Sequence, residues 1–262
     1  MRIQMGLKIA IGGKGGVGKT TVCAVWARLF ADDGFDVLAI DADPNTNLAL
    51  AFGLSSKQNP QPLIQMKELI AERTGANKDM VGAYFRLNPK VSDLPEKYSI
   101  DVGRVKLLVL GGITQGGAGC ACPEGAFLKA LLTHTILQRE EIVLVDLAAG
   151  VEFLGRASIQ GIDALVVVVE PGARSIETAN TIARMGKQLG VKFVAAIANK
   201  STDADQTQTI ESQLTVPLLA RIDYDAAIQE ADLRGASVFE SNEELVKRLH
   251  DAMRRLEEEL KL

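Results

Sequence analysis

The chain has 262 residues, 47% of them hydrophobic but only 5% aromatic, with a formal net charge of −4 and three cysteines. That length suits one large α/β domain with a substantial core, and the apolar, aromatic-poor composition suits parallel strands of Val, Ile, Leu and Ala. The mild acidity argues against a globally basic nucleic-acid or membrane-surface binder, three cysteines make no disulfide framework, and no run is apolar enough to span a bilayer.

Met1 to Met5 leads straight into the first strand with no signal peptide, so a reducing cytoplasm is the expected setting. Leu7 to Ile11 reads as that strand. A glycine-rich run follows, and Val22, Val25, Trp26, Leu29 and Phe30 then fall at helical spacing. Strand, glycine loop and helix together give meaning to the string G-x-x-x-x-G-K-[ST], filled here by Gly13, Gly18, Lys19 and Thr20. Glycines let backbone N–H groups converge on phosphate oxygens, and the helix adds the positive end of its dipole. Lys19 is placed to reach the outer phosphates and the Thr20 hydroxyl to bind Mg²⁺. The candidate nucleotide cradle is therefore Gly13, Lys14, Gly15, Gly16, Val17, Gly18, Lys19, Thr20 and Thr21.

Lys14 is a second lysine in the loop, which ordinary phosphate loops do not require. With it, Lys14 to Thr20 resembles the deviant Walker A loop of the MinD, ParA, nitrogenase-iron-protein and ArsA group of ATPases. The resemblance implies a dimer in which Lys14 reaches the partner's nucleotide, as an arginine finger does. Asp36 to Ile40 reads as a buried second strand that ends at Asp41-Ala42-Asp43-Pro44, at the carboxyl edge where α/β sheets bind ligands. By the same resemblance this is a switch: Asp43 orients or activates the attacking water, and Asp41 stands behind the metal. Asp43 or Asn45 could also cap a helix, and that role could hold alongside the first.

Residues 54–104 read as an irregular insertion. It holds a short amphipathic helix, Pro62 to Arg73, with Leu63, Met66 and Ile70 on one face, and then Tyr84, Phe85 and Tyr98 among prolines and glycines. Packing over the sheet edge and docking of a client are both open there. Val105 to Leu110 is a third strand. It feeds a glycine loop that presents Cys120 and Cys122, and Pro123 opens a helix to about Gln138. A helix N-terminus favours the thiolate that binds metals. Two cysteines cannot complete a soft four-ligand site, but a two-fold dimer would supply the other pair, suiting Zn²⁺ or, if flattened, Ni²⁺; the C-x-C spacing alone fits buried or incidental thiols better.

Ile142 to Asp146 reads as a buried strand ending in a Mg²⁺-binding acid, and Gly150 after it can bring its N–H to the γ-phosphate. Asp163 to Val169 is the next strand, Ser175 to Leu189 a helix, and Val191 to Ala198 a strand that ends at Asn199-Lys200. Asn199 can pair with adenine through both its donor and its acceptor. Thr202 stands where a guanine-reading loop carries an acid, so ATP is expected rather than GTP. Val216 to Ile222 is the last strand, Tyr224 to Leu233 a short helix, and Glu243 onward an amphipathic tail whose acidic end suits packing on its own sheet better than a membrane.

The deviant loop, the Cys120/Cys122 loop, Leu87-Asn88-Pro89-Lys90-Val91 and Asp146 to Glu152 together resemble the CooC-type accessory ATPases. That resemblance covers nearly the whole chain. It implies a homodimer that inserts nickel into carbon monoxide dehydrogenase or, in a close relative, serves acetyl-CoA synthase, with paired cysteines at the dimer interface. Phe153 departs from it, since histidine is common there in the family. The expected architecture is one doubly wound α/β domain with a mostly parallel sheet of seven or eight strands. Two rivals share the nucleotide motifs. A MinD- or ParA-type positioning ATPase needs a basic surface, and an electron donor like the nitrogenase iron protein needs cysteines far apart in sequence.

Overall fold

The computed structural model describes residues 6–76, 85–112, 122–138, 141–150 and 161–261. Tyr84, Cys120, Glu152 and Phe153 lie outside the described residues. In chain order the elements are β1 (Lys8–Gly13), α1 (Lys19–Asp32), β2 (Val37–Ala42), α2 (Leu48–Ala51), α3 (Lys67–Thr74), α4 (Leu94–Tyr98), β3 (Ile100–Val102), β4 (Val105–Val109) and α5 (Pro123–Gln138). There follow β5 (Ile142–Leu147), β6 (Ala164–Val169), α6 (Ala173–Gln188), β7 (Phe193–Ser201), α7 (Ala204–Gln213), β8 (Leu218–Asp223), α8 (Ala226–Leu233), α9 (Val238–Ser241) and α10 (Glu243–Leu260).

The strands form one eight-stranded sheet in the order β3-β4-β2-β5-β1-β6-β7-β8. Every pairing is parallel except β3 with β4. The central strands are apolar at nearly every position because both faces are covered. Ile9, Ala39, Leu144 and Val166 project into one layer with α1 and α10; Ala10, Leu38, Val143 and Leu165 project into the other with α3, α5 and α6. The period-two alternation of the pleat thus sends neighbouring residues to opposite cores.

Strand β3 escaped the sequence reading: three residues carry too little pattern, and Asp101 between Ile100 and Val102 is exposed. It turns back on β4 and caps the sheet edge. The segment read as one helix from Pro62 is two pieces, a 3-10 turn at Leu63–Gln65 and then α3. The break has a local cause: Ile64 N–H donates to Leu110 O at 3.1 Å, which pins the turn to the end of β4. Helix α7 was not read at all; Asp203 caps it, accepting from Gln206 N–H at 2.8 Å.

The amphipathic tail behaves as its pattern requires. Helix α10 packs on β8 and α1, and Leu245, Leu249, Met253 and Leu256 are buried there. Trp26 of α1 is fully buried, and its Nε1–H donates to Leu249 O at 2.9 Å across that interface. Among the described residues no helix is long and apolar enough to cross a membrane.

Candidate nucleotide site

The carboxyl ends of β1, β2 and β5 meet in the middle of the sheet, and the candidate residues gather there. At the end of β1, Gly13 takes φ +147, and a Cβ there would lie 2.4 Å from Val168 O; only glycine lets β1 run this close to β6 before the loop lifts away. Gly18 takes φ +100 just before α1 begins at Lys19, and a Cβ there would lie 2.4 Å from Asn199 Nδ2. The loop between is thus shaped by backbone, leaving its N–H groups and the head of α1 to face an anion. Lys19 is buried, with Nζ donating to Lys14 O at 3.3 Å, so its ammonium lies folded over the loop.

Thr20 Oγ1 donates to Asp146 Oδ2 at 2.6 Å. Asp146 is 1% exposed, and its other oxygen, Oδ1, has no hydrogen-bond partner. Burial raises the Asp146 carboxyl to about 7, with Asp41 and Asp43 nearby adding to the rise and the Thr20 bond and Lys19 opposing it. A buried carboxylate with one unused oxygen beside a hydroxyl is a hard-oxygen donor set, which fits Mg²⁺.

Asp41 is the Cα register partner of Asp146 on the neighbouring strand. Its Oδ1 accepts from Asp43 N–H at 3.1 Å and its Oδ2 from Leu48 N–H at 2.9 Å. Burial raises Asp41 to about 7 as well, against the lowering effect of those two bonds. Both oxygens are engaged by backbone, so Asp41 shapes the 43–48 loop and offers the site charge. Asp43 is half-buried, and its Oδ1 accepts from Asn45 N–H at 2.8 Å; of Asp41, Asp43 and Asp146 it is the one that lines the cleft. Pro44 abuts the end of β4: a Cβ on Gly112 would lie 2.6 Å from Pro44 Cγ.

Two sequence candidates are found doing work inside the protein. The Gly150 N–H, expected at the γ-phosphate, donates to Gly13 O at 3.1 Å. The Asn199 amide, expected on adenine, donates to Val17 O at 2.7 Å and accepts from Lys200 N–H at 2.9 Å, bracing the phosphate loop. Asn199 also lies within β7, not beyond it, at a register irregularity where Lys200 takes φ +61.

The cleft extends from the loop toward the end of β8, where Asp223, Tyr224, Asp225 and Gln229 line it. Sequence reasoning gave these no role. The rule that ligands lie beyond the carboxyl ends of strands, already applied at Asp43, would have pointed to them. Cys122 is half-buried at the head of α5, where its Sγ accepts from Gly125 N–H at 3.2 Å, in the manner of an N-cap. Its companion Cys120 is outside the described residues.

A glycine cradle at a helix head, with a threonine and an acid converging beside it, is built for a nucleoside polyphosphate, and the chain is an ATPase of the phosphate-loop class. More specifically, residues 8–238 match the CobQ/CobB/MinD/ParA nucleotide-binding domain, and the chain belongs to that family. It is 43% identical over 237 residues to the carbon monoxide dehydrogenase accessory protein CooC of Rhodospirillum rubrum, covering 89% of this chain and 90% of the relative. It is 40% identical over 235 residues to an ATP-binding protein of Methanocaldococcus jannaschii, covering 88% and 91%. Among solved structures, the cell-division ATPase MinD of Pyrococcus furiosus shares the fold, with a TM-score of 0.69 at 22% identity over 97% of this chain and 99% of that one.

Proposed function

We propose that this chain is a homodimeric ATP-hydrolysing metallochaperone that delivers nickel to carbon monoxide dehydrogenase or acetyl-CoA synthase. The observation that carries the reading is the 43% identity to CooC over 89% of the chain. The whole chain, residues 54–104 included, acts as one nucleotide-binding domain. Gly13 to Thr21 hold the phosphates and Lys19 neutralises them. Thr20 and Asp146 hold Mg²⁺, with Asp41 behind them, and Mg²⁺ when bound supplies charge compensation for the phosphate oxygens. Asp43 places the attacking water.

Lys14 of each protomer serves the other's nucleotide, so hydrolysis requires the dimer. Closure also brings Cys120 and Cys122 of the two protomers toward one shared metal ion, the cargo, which is Ni²⁺ or Zn²⁺. Nucleotide and metal are coupled because each favours the closed pair. The tail supports this reading over a membrane-positioning ATPase, since the apolar face of α10 is covered by β8 and α1.

Sizing the protein with Mg²⁺ and a non-hydrolysable ATP analogue, with and without Ni²⁺, tests the proposal. The expected result is a dimer holding one metal per pair, with the metal lost on Cys122→Ser. One metal per monomer, untouched by that substitution, would overturn it.

A further inference from the structure

Lys14, the lysine that the dimer reading sends across to a partner, is already held within its own chain. Its Nζ lies 3.4 Å from Glu170 Oε1. Glu170 follows directly on β6, and its backbone is anchored: its N–H donates at 3.1 Å to Oγ of Ser175, a buried residue in the first turn of α6. The second carboxylate oxygen, Oε2, lies 3.5 Å from Lys200 Nζ, and Lys200 in turn donates to Gly16 O at 2.5 Å. One carboxylate therefore stands between two loop-bound cations, one from the phosphate loop and one from the bulge in β7.

We propose that Glu170 is a positioning residue that parks Lys14 in the separate protomer and releases it when two protomers close on ATP. This rests on the dimer reading above. Three features fit a release rather than a fixed bridge. The Lys14 side chain is 44% exposed, so it can swing out without opening the core. Its contact with Glu170 is a single, long one rather than a two-pronged grip, and such exposed pairs are weak. Glu170 keeps Lys200 after Lys14 leaves, so departure strands no lone carboxylate beside the incoming phosphates. The parked lysine also keeps an unpaired cation off the closing face until a triphosphate of the partner competes for it.

The latch opposes closure, so removing it helps closure. An exposed pair of this kind shifts an equilibrium by about threefold, and a dimer that releases two latches by roughly tenfold. In Glu170→Gln the protein concentration at half-dimerisation, read by analytical ultracentrifugation with Mg²⁺ and a non-hydrolysable ATP analogue, should fall by about that factor. The same substitution in a Lys14→Ala background should shift nothing. In the nucleotide-free protein, acylation of Lys14 by an amine-reactive reagent, followed by mass spectrometry, should run several-fold faster in Glu170→Gln.

An unchanged or higher half-dimerisation concentration in Glu170→Gln, with ADP affinity intact, overturns the latch while leaving the dimer reading standing. So does an equal shift in the Lys14→Ala background, or Lys200→Gln copying the whole effect, because either would mean that Glu170 merely supports the loop. A wild-type protein that stays monomeric at every concentration overturns the dimer reading, and the latch with it, even if Lys14 labels faster in Glu170→Gln.

Discussion

Asp41 and Asp146 face each other as Cα partners on neighbouring parallel strands, and burial raises each carboxyl to about 7. The two cannot both stay charged cheaply in a dry site. Geometry assigns the proton: Asp41 accepts backbone N–H bonds on both oxygens, whereas Asp146 Oδ1 has no partner, so Asp146 is where a proton or a cation goes. The folded chain then binds more protons than the unfolded one between about pH 4 and 7. Stability of the metal-free protein should fall as pH rises through that window and level off above it, and thermal melts in chelator across the range would show this.

Asp146→Asn removes the buried charge. At about pH 8 the variant should be more stable than wild type by ~1–3 kcal/mol, with a flatter pH profile. It should also lose Mg²⁺-dependent ATP hydrolysis. Thermal melts and phosphate release check the two halves; a destabilised variant would contradict the electrostatic account.

Gly18→Ala carries two faults, a left-handed φ of +100 and a Cβ 2.4 Å from Asn199 Nδ2. The expected loss is ~1–3 kcal/mol of stability together with most of the nucleotide affinity, because Asn199 can no longer brace Val17. Calorimetric titration with ADP and a thermal melt measure both.

The two loop lysines should separate by kinetics. Lys19→Ala should weaken nucleotide binding in a single protomer, since Lys19 lies over its own loop. Lys14→Ala should leave ADP affinity near wild type and lower kcat by about 10³, the scale of an arginine finger supplied in trans. Equal effects on binding from both variants would remove the trans role.

Gly112→Ala tests the contact beneath the switch loop. The added Cβ would sit 2.6 Å from Pro44 Cγ and 2.9 Å from Pro44 N, and neither is the free end of a flexible chain. A cost of ~1–3 kcal/mol is expected, with hydrolysis impaired more than nucleotide binding because Asp43 is displaced. Unchanged hydrolysis would show that the loop absorbs the strain elsewhere.

The phosphate loop was legible because its signal is local: glycines, lysine and threonine at fixed spacing between a strand and a helix. The sheet was legible because buried parallel strands are apolar along their length, which also made Asp146 conspicuous at the end of one. Strand β3 was not, because three residues make no period. The sequence suggests adenine for Asn199; its engagement with Val17, 182 positions away, could not be read from a string. The same holds for Glu170 with Lys14, 156 positions apart: both stand out only once β1, β6 and β7 lie side by side. Asp223 to Asp225 form no motif by spacing; their signal is positional, since they lie at the carboxyl end of β8 as Asp43 does at that of β2.

The seam between α1 and α10 carries a practical consequence. Trp26 is the chain's sole tryptophan, and its indole is wholly enclosed there with its N–H on Leu249 O. Since α1 starts at the phosphate loop, intrinsic fluorescence reads the element that grips the ligand and the one that closes the back of the molecule from a single emitter. A red shift would announce undocking of the terminal helix, and no dye or label is needed to see it.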